Sequence, residues 1–193
     1  MPHIARESLL SLEAYARARA EFRARAIDHK RRRTVHIGEH LTLQSEDELT
    51  VRYQIQEMLR IERIFEEDGI RSELDAYNPL VPDGSNWKAT LLLEYPDPQE
   101  RRARLAKLKG IEQRTWVQVE GCERVYAIAD EDVERENEEK TSSVHFLRFE
   151  LAPEMVRVLR RGAGLTMGAD HPHYQASARI GPETRNSLTE DLA

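Results

Sequence analysis

The sequence predicts an α+β fold, a mainly antiparallel sheet of five to six strands packed by one long amphipathic helix, with an N-terminal helical arm. Three observations carry this expectation. Alternating apolar runs mark strands at Val35 to Leu43, Thr115 to Glu120, Glu123 to Ala129 and Thr141 to Leu151. The stretch from Ser45 to Glu67 has the periodicity of a helix, and an alanine- and arginine-rich segment precedes both kinds of pattern. With 193 residues the chain is read as a helical arm over 1–33 and one α+β domain over 34–193.

Composition narrows the function classes. At 39% hydrophobic and 33% charged, the chain reads as a soluble protein with a heavily charged surface. No apolar run approaches the roughly 18 residues that span a bilayer, and the opening residues lack the apolar core of a signal peptide, so a cytoplasmic location away from membranes is expected. Cys122 is the single cysteine, which excludes an internal disulfide and a multi-cysteine zinc site. A net charge of −6 argues against general nucleic-acid binding.

From Arg6 to Lys30, Leu12, Tyr15, Ala18, Phe22 and Ala26 form a narrow apolar stripe, suited to lying on a domain or pairing with a helix of a second copy. The basic cluster Lys30 to Arg33 ends it, either as a site for an anion, nucleic acid or acidic partner or as cations at a helix C-terminus. The strand Val35 to Leu43 places His36 and His40 on one face, roughly 13 Å apart if extended and so unable to share a metal. In the long helix, Ser45 and Glu48 form an S-x-x-E capping box, Gly69 supplies the stop, and Glu62 falls among Val51, Ile55, Met58, Leu59 and Phe65. A carboxylate in that position must be paired, protonated or facing a cavity. Glu66, one turn further along, gives a second inward carboxylate.

Asp75 to Trp87 is a proline- and glycine-punctuated loop rich in apolar groups. Its Tyr77, Asn78, Asp83, Ser85, Asn86 and Trp87 are candidates to line a ligand pocket or to form a structural lid. Lys88 to Tyr95 reads as a buried strand, and Asp97-Pro98 opens a helix ending at Gly110. Gly121-Cys122 joins two strands as a hairpin, and Asp130 to Lys140 is an acidic connection or short helix. After the strand ending at Leu151 come a helix from Pro153 to Arg161, a loop carrying His171 and His173, a short strand through Ile180 and a terminal helix. His171 and His173, with His36, His40 and His145, are the imidazoles that could join Glu62 and Glu66 around iron, manganese or zinc. In a core reading, Arg148 neutralises Glu62 instead.

The segments VHIGEHLTLQSEDELTVRYQIQEMLRIERIFEEDGI, YNPLVPDGSNWKATLLLEYPD, HFLRFEL and GADHPHY resemble a bacterial family of uncharacterised proteins, domain of unknown function 3501. The resemblance implies a gene neighbourhood shared with rubrerythrin-like and iron–sulfur proteins, hence iron or peroxide metabolism and oxidative stress, with such proteins as partners. It carries over no catalytic residue. The sequence lacks GxxxxGK[ST], GxGxxG after a strand, GxSxG and HExxH. The leading expectation is a binding or accessory protein that holds a ligand or partner against the sheet and the loop from Tyr77 to Trp87. A carboxylate–histidine metal enzyme is the alternative, and nucleic-acid binding through the basic helix is the weaker one.

Overall fold

A computed structural model describes residues 3–129 and 140–193. Two four-stranded antiparallel sheets form its centre, in place of the single sheet expected. Sheet one runs β1 (Thr34–Ile37), β2 (Leu41–Glu46), β3 (Asn86–Leu93) and β6 (Val144–Glu150). Sheet two runs β5 (Arg124–Tyr126), β4 (Thr115–Val119), β7 (Leu165–His171) and β8 (Tyr174–Arg179). The acidic run predicted over Asp130 to Lys140 lies, up to 139, outside the described residues.

The period-two alternation of the strands is what joins the sheets. Ile37, Leu43, Leu91, Leu147 and Phe149 of sheet one share a buried cluster with Val117, Leu165, Met167 and Ala169 of sheet two. Leu105 from α4 (Pro98–Lys107), Leu159 from α5 (Pro153–Arg160) and Leu188 from α6 (Pro182–Thr189) join the same cluster.

Val35 to Leu43 is a hairpin and not one strand. Its alternation survives the turn because Ile37 pairs with Leu41, so both ladders keep their apolar residues on one face. Gly38 makes the turn at φ +72, and a Cβ there would lie 2.6 Å from the Tyr174 hydroxyl. That hydroxyl donates to Ile37 O at 2.6 Å and accepts from the His40 amide at 3.1 Å, tying β8 to the first hairpin. The loop expected around His171 and His173 is the β7–β8 hairpin. Its glycines are contact residues: a Cβ at Gly168 would meet the Trp116 ring at 2.4 Å.

The second face of sheet one carries a helical layer. α1 (Leu12–Arg32) lies along α2 (Glu48–Glu62): Tyr15 and Arg19 bond Glu57 at 2.7 and 2.8 Å, and Phe22 stacks on Tyr53. The thin stripe that suggested pairing with a second copy is thus covered within the chain. Arg33, at the end of α1, is 1% exposed and bonds Ser45 O, Glu46 O, Ser187 O and the Asp191 carboxylate. It staples α1, β2 and the C-terminal segment together.

The long helix from Ser45 to Glu67 is shorter than expected and shifted. Ser45 pairs with Ala89 in β2, so the sheet register removes it from capping, and Asp47 with Thr50 forms the box. Arg63 adopts a left-handed conformation, φ 56, and ends α2. α3 (Glu67–Tyr77) follows, with Gly69 inside it and not at a stop; a Cβ there would sit 2.7 Å from Ile64. Glu62 is exposed, as are Ile61 and Phe65, because α2 runs past the end of the surface it packs on. Arg148 pairs with Glu150, so it does not neutralise Glu62 in a core.

Candidate functional site

Between the outer face of sheet one and the α2–α3 layer lies a pocket of about 350 Å3. Strand periodicity supplies its floor: Gln44 and Glu46 of β2, Thr90 and Leu92 of β3, and Val144 and Phe146 of β6 all point away from the main core. Val51 and Gln54 of α2, Tyr77 at the end of α3, Leu80 and Lys30 close it. A wider cleft of about 560 Å3 shares Tyr77, Leu80 and Phe146 and continues past Met58 and Glu73, forming one groove. Burial raises the Glu73 carboxyl above its ordinary range, and the nearby Glu62 charge adds to the effect.

Glu46 is the distinctive group. It is 8% exposed, with one carboxylate oxygen accepting from the Thr50 hydroxyl at 2.5 Å and the other from the Thr90 hydroxyl at 2.7 Å. Lys88 stands opposite it across the ladder, and no ion pair closes on Glu46 among the described residues. Each carboxylate oxygen keeps a lone pair for a further donor. Around it, the Gln54 amide and the Tyr77 hydroxyl make no hydrogen bond among the described residues, and the Lys30 ammonium sits 5.9 Å from the Tyr53 ring centroid. A small apolar chamber edged by a few polar groups with unused capacity is the usual form of a small-molecule site.

Of the loop residues expected to line a site, Tyr77 alone reaches this groove. Asn78 pins the N-terminal segment, accepting from the Ile4 amide at 2.8 Å and donating to Ile4 O at 3.2 Å. Asp83 accepts from the Ser85 amide and hydroxyl at 2.9 and 2.8 Å; burial pushes its carboxyl up, but those bonds prevail and hold it below the ordinary range. Asn86 is buried against Glu150 at 3.2 Å, and the buried Trp87 donates its indole N–H to Leu188 O at 2.8 Å. These five make structural contacts. Asp83 and Ser85 also line a second cleft of about 590 Å3 beside Arg157, Arg160 and Arg161.

The metal-ligand candidates are dispersed. Glu62 and Glu66 are exposed. His36 bonds Thr42 at 3.0 Å; His40 bonds Glu94 O at 2.9 Å and stacks on Tyr95. His145 is buried with Nε2 3.0 Å from both Thr141 Oγ1 and Ser142 O. His171 Nε2 lies 3.0 Å from Lys109 O while its Nδ1 accepts from the His173 amide at 3.2 Å. Among the described residues, no three His, Cys, Asp or Glu side chains come together to hold a metal ion.

Sequence reasoning missed Gln44, Glu46, Gln54, Thr90 and Leu92, and offered Lys30 only as part of the basic cluster ending α1. The signal was present in β2, where Thr42, Gln44 and Glu46 alternate with Leu41, Leu43 and Ser45 in a strand buried on both faces. A polar face under a helical layer marks a pocket or a hydrogen-bond network.

The family profile described as "Protein of unknown function (DUF3501)" matches residues 3–192. The chain belongs to the DUF3501 family. A solved structure of a protein of unknown function from Burkholderia pseudomallei K96243 is 58% identical, with a TM-score of 0.94 over 100% of both chains. No curated protein matches this DUF3501 chain. Among its described residues, no helix is long and apolar enough to cross a membrane.

Proposed function

We propose that this DUF3501 protein is a binding protein for a small organic molecule, held in the groove between sheet one and α2–α3. The observation that carries this is Glu46, a carboxylate at 8% exposure whose bonds among the described residues come from two hydroxyls, facing an apolar chamber. A buried carboxylate held by two hydroxyls, with Lys88 opposite it and acceptor capacity left over, suits a ligand that brings a further donor. Membership in iron or peroxide metabolism, with rubrerythrin-like or iron–sulfur partners, is a further proposal that rests on the family resemblance and not on the groove.

Methyl-resolved NMR with indole as an apolar probe tests the site. Saturable shifts are expected at Val51, Leu80, Leu92 and Val144, and Leu92→Trp, which fills the chamber, should abolish them. Shifts confined to other parts of the molecule, or undiminished in L92W, would refute the assignment.

A further inference from the structure

Resting on that reading, we infer that the ligand is a zwitterion: a metabolite-sized molecule with an ammonium group, a carboxylate and an apolar side chain, of the kind represented by the hydrophobic amino acids. Two opposite charges, Glu46 and Lys30, line the same pocket of about 350 Å3 yet make no ion pair with each other. Glu46 is held in place by Thr50 and Thr90 on two different elements, α2 and β3. Lys30 is held by its helix and by the Tyr53 ring. The fold thus places the two poles on different elements of one pocket, and a ligand carrying one charge would engage only one of them. A ligand carrying both satisfies each with a charge-assisted hydrogen bond, the stronger class of such bonds.

The rest of the chamber agrees with that chemistry. Glu46 can only accept while ionised and Lys30 can only donate, so the site distinguishes an ammonium from a carboxylate by position. Gln54 and Tyr77 supply neutral donors and acceptors that suit either group. Val51, Leu80, Leu92, Val144 and Phe146 give the remainder of the ligand an apolar wall. The chamber's volume lies at the lower end of ligand pockets.

Calorimetric titration with L-leucine and L-phenylalanine, N-acetyl-L-phenylalanine, L-phenylalaninamide and indole tests the inference. At least one of the two amino acids is expected to bind ten-fold or more tightly than the N-acetyl and amide compounds, which lack the ammonium and the carboxylate respectively. Glu46→Gln should erase the advantage over the N-acetyl compound, and Lys30→Met the advantage over the amide. Equal affinity for all the phenylalanine compounds, or binding of indole alone, would overturn the zwitterion and leave the pocket standing. Absence of binding by every compound, indole included, would overturn both. An advantage that persists in E46Q and K30M would place the recognition elsewhere and overturn the assignment of poles.

Discussion

Replacing Arg33 by methionine should be among the most damaging single changes to this fold. The guanidinium is 1% exposed and bridges three elements: it bonds Ser45 O and Glu46 O at 3.3 and 3.1 Å, Ser187 O at 3.0 Å and Asp191 at 2.5 Å. Methionine keeps the stem but leaves a buried carboxylate and several carbonyls without a donor, at a cost of about 3–5 kcal/mol. For a domain of this size that lowers the melting temperature by roughly 6–20 °C. Asp191→Asn gives a second readout. Burial pushes the Asp191 carboxyl up from 3.8 to about 6 against the pull of Arg33. A raised carboxyl stabilises the fold most below pH 3.8 and loses that contribution as pH climbs to about 6. The stability advantage of the native protein over D191N should therefore shrink by about 3 kcal/mol, order of magnitude, between pH 4 and pH 7. Asp47, which raises the Asp191 carboxyl, and His29, which lowers it, also face this group and act on it in the native protein alone. Urea unfolding at each pH makes the measurement. A melting temperature within 2 °C of native for R33M would refute the staple, and a pH-independent gap for D191N would refute the raised Asp191 carboxyl.

Two further outcomes test the joints of the structure. Glu57, bonded by Arg19 and Tyr15, is held down from 4.5 to about 2, chiefly by the Arg19 bond. Its contribution is complete above pH 4.5 and lost as pH falls towards 2, so acid titration of native protein against Glu57→Gln should show the two curves converging over that range. Parallel curves would deny that Glu57 ties α1 to α2. Gly38 and Gly121 both have positive φ, +72 and +82, but a Cβ at Gly121 meets nothing within 4 Å. Alanine at Gly121 therefore measures backbone strain alone, about 1 kcal/mol. Gly38→Ala should cost clearly more, since it also displaces the Tyr174 hydroxyl, and chemical denaturation showing equal losses would remove Tyr174 as the tie between the sheets.

The strands of this protein were legible because period-two alternation survives whatever the sheet does next. The helix from Ser45 was legible in kind but not in extent. Two overlapping capping signals, Ser45 with Glu48 and Asp47 with Thr50, compete locally, and pairing of Ser45 and Glu46 with β3 decides between them. That pairing is a long-range event which no local window contains. Glu62 shows the same limit. Its azimuth on α2 does match Val51 and Ile55, but the surface they pack against ends before the last turn. β7, with Gly168 inside it, reads as part of a loop because a sequence does not show that the Trp116 ring lies against that glycine. The groove residues come from α1, β2, α2, α3, β3 and β6, so their convergence belongs to topology and not to spacing.

The misplaced charge that the sequence located at Glu62 exists sixteen residues earlier in the chain, at Glu46, and the contrast with two other carboxylates says why it matters. Asp191 is buried beside Arg33, and Asp47 lies next to the same guanidinium and His29; each has a cation to offset its loss of water. Glu46 lies one residue from Asp47 and its own backbone carbonyl serves Arg33, yet its side chain turns the other way, into the chamber, and receives two threonine hydroxyls. The two hydroxyls, with Lys88 opposite, leave that carboxylate acceptor capacity to spare, which is what the proposed ligand would use. Where β2 ends and α2 begins, adjacent side chains thus take two tasks: Asp47 caps α2 and pairs with His29, and Glu46 faces the groove.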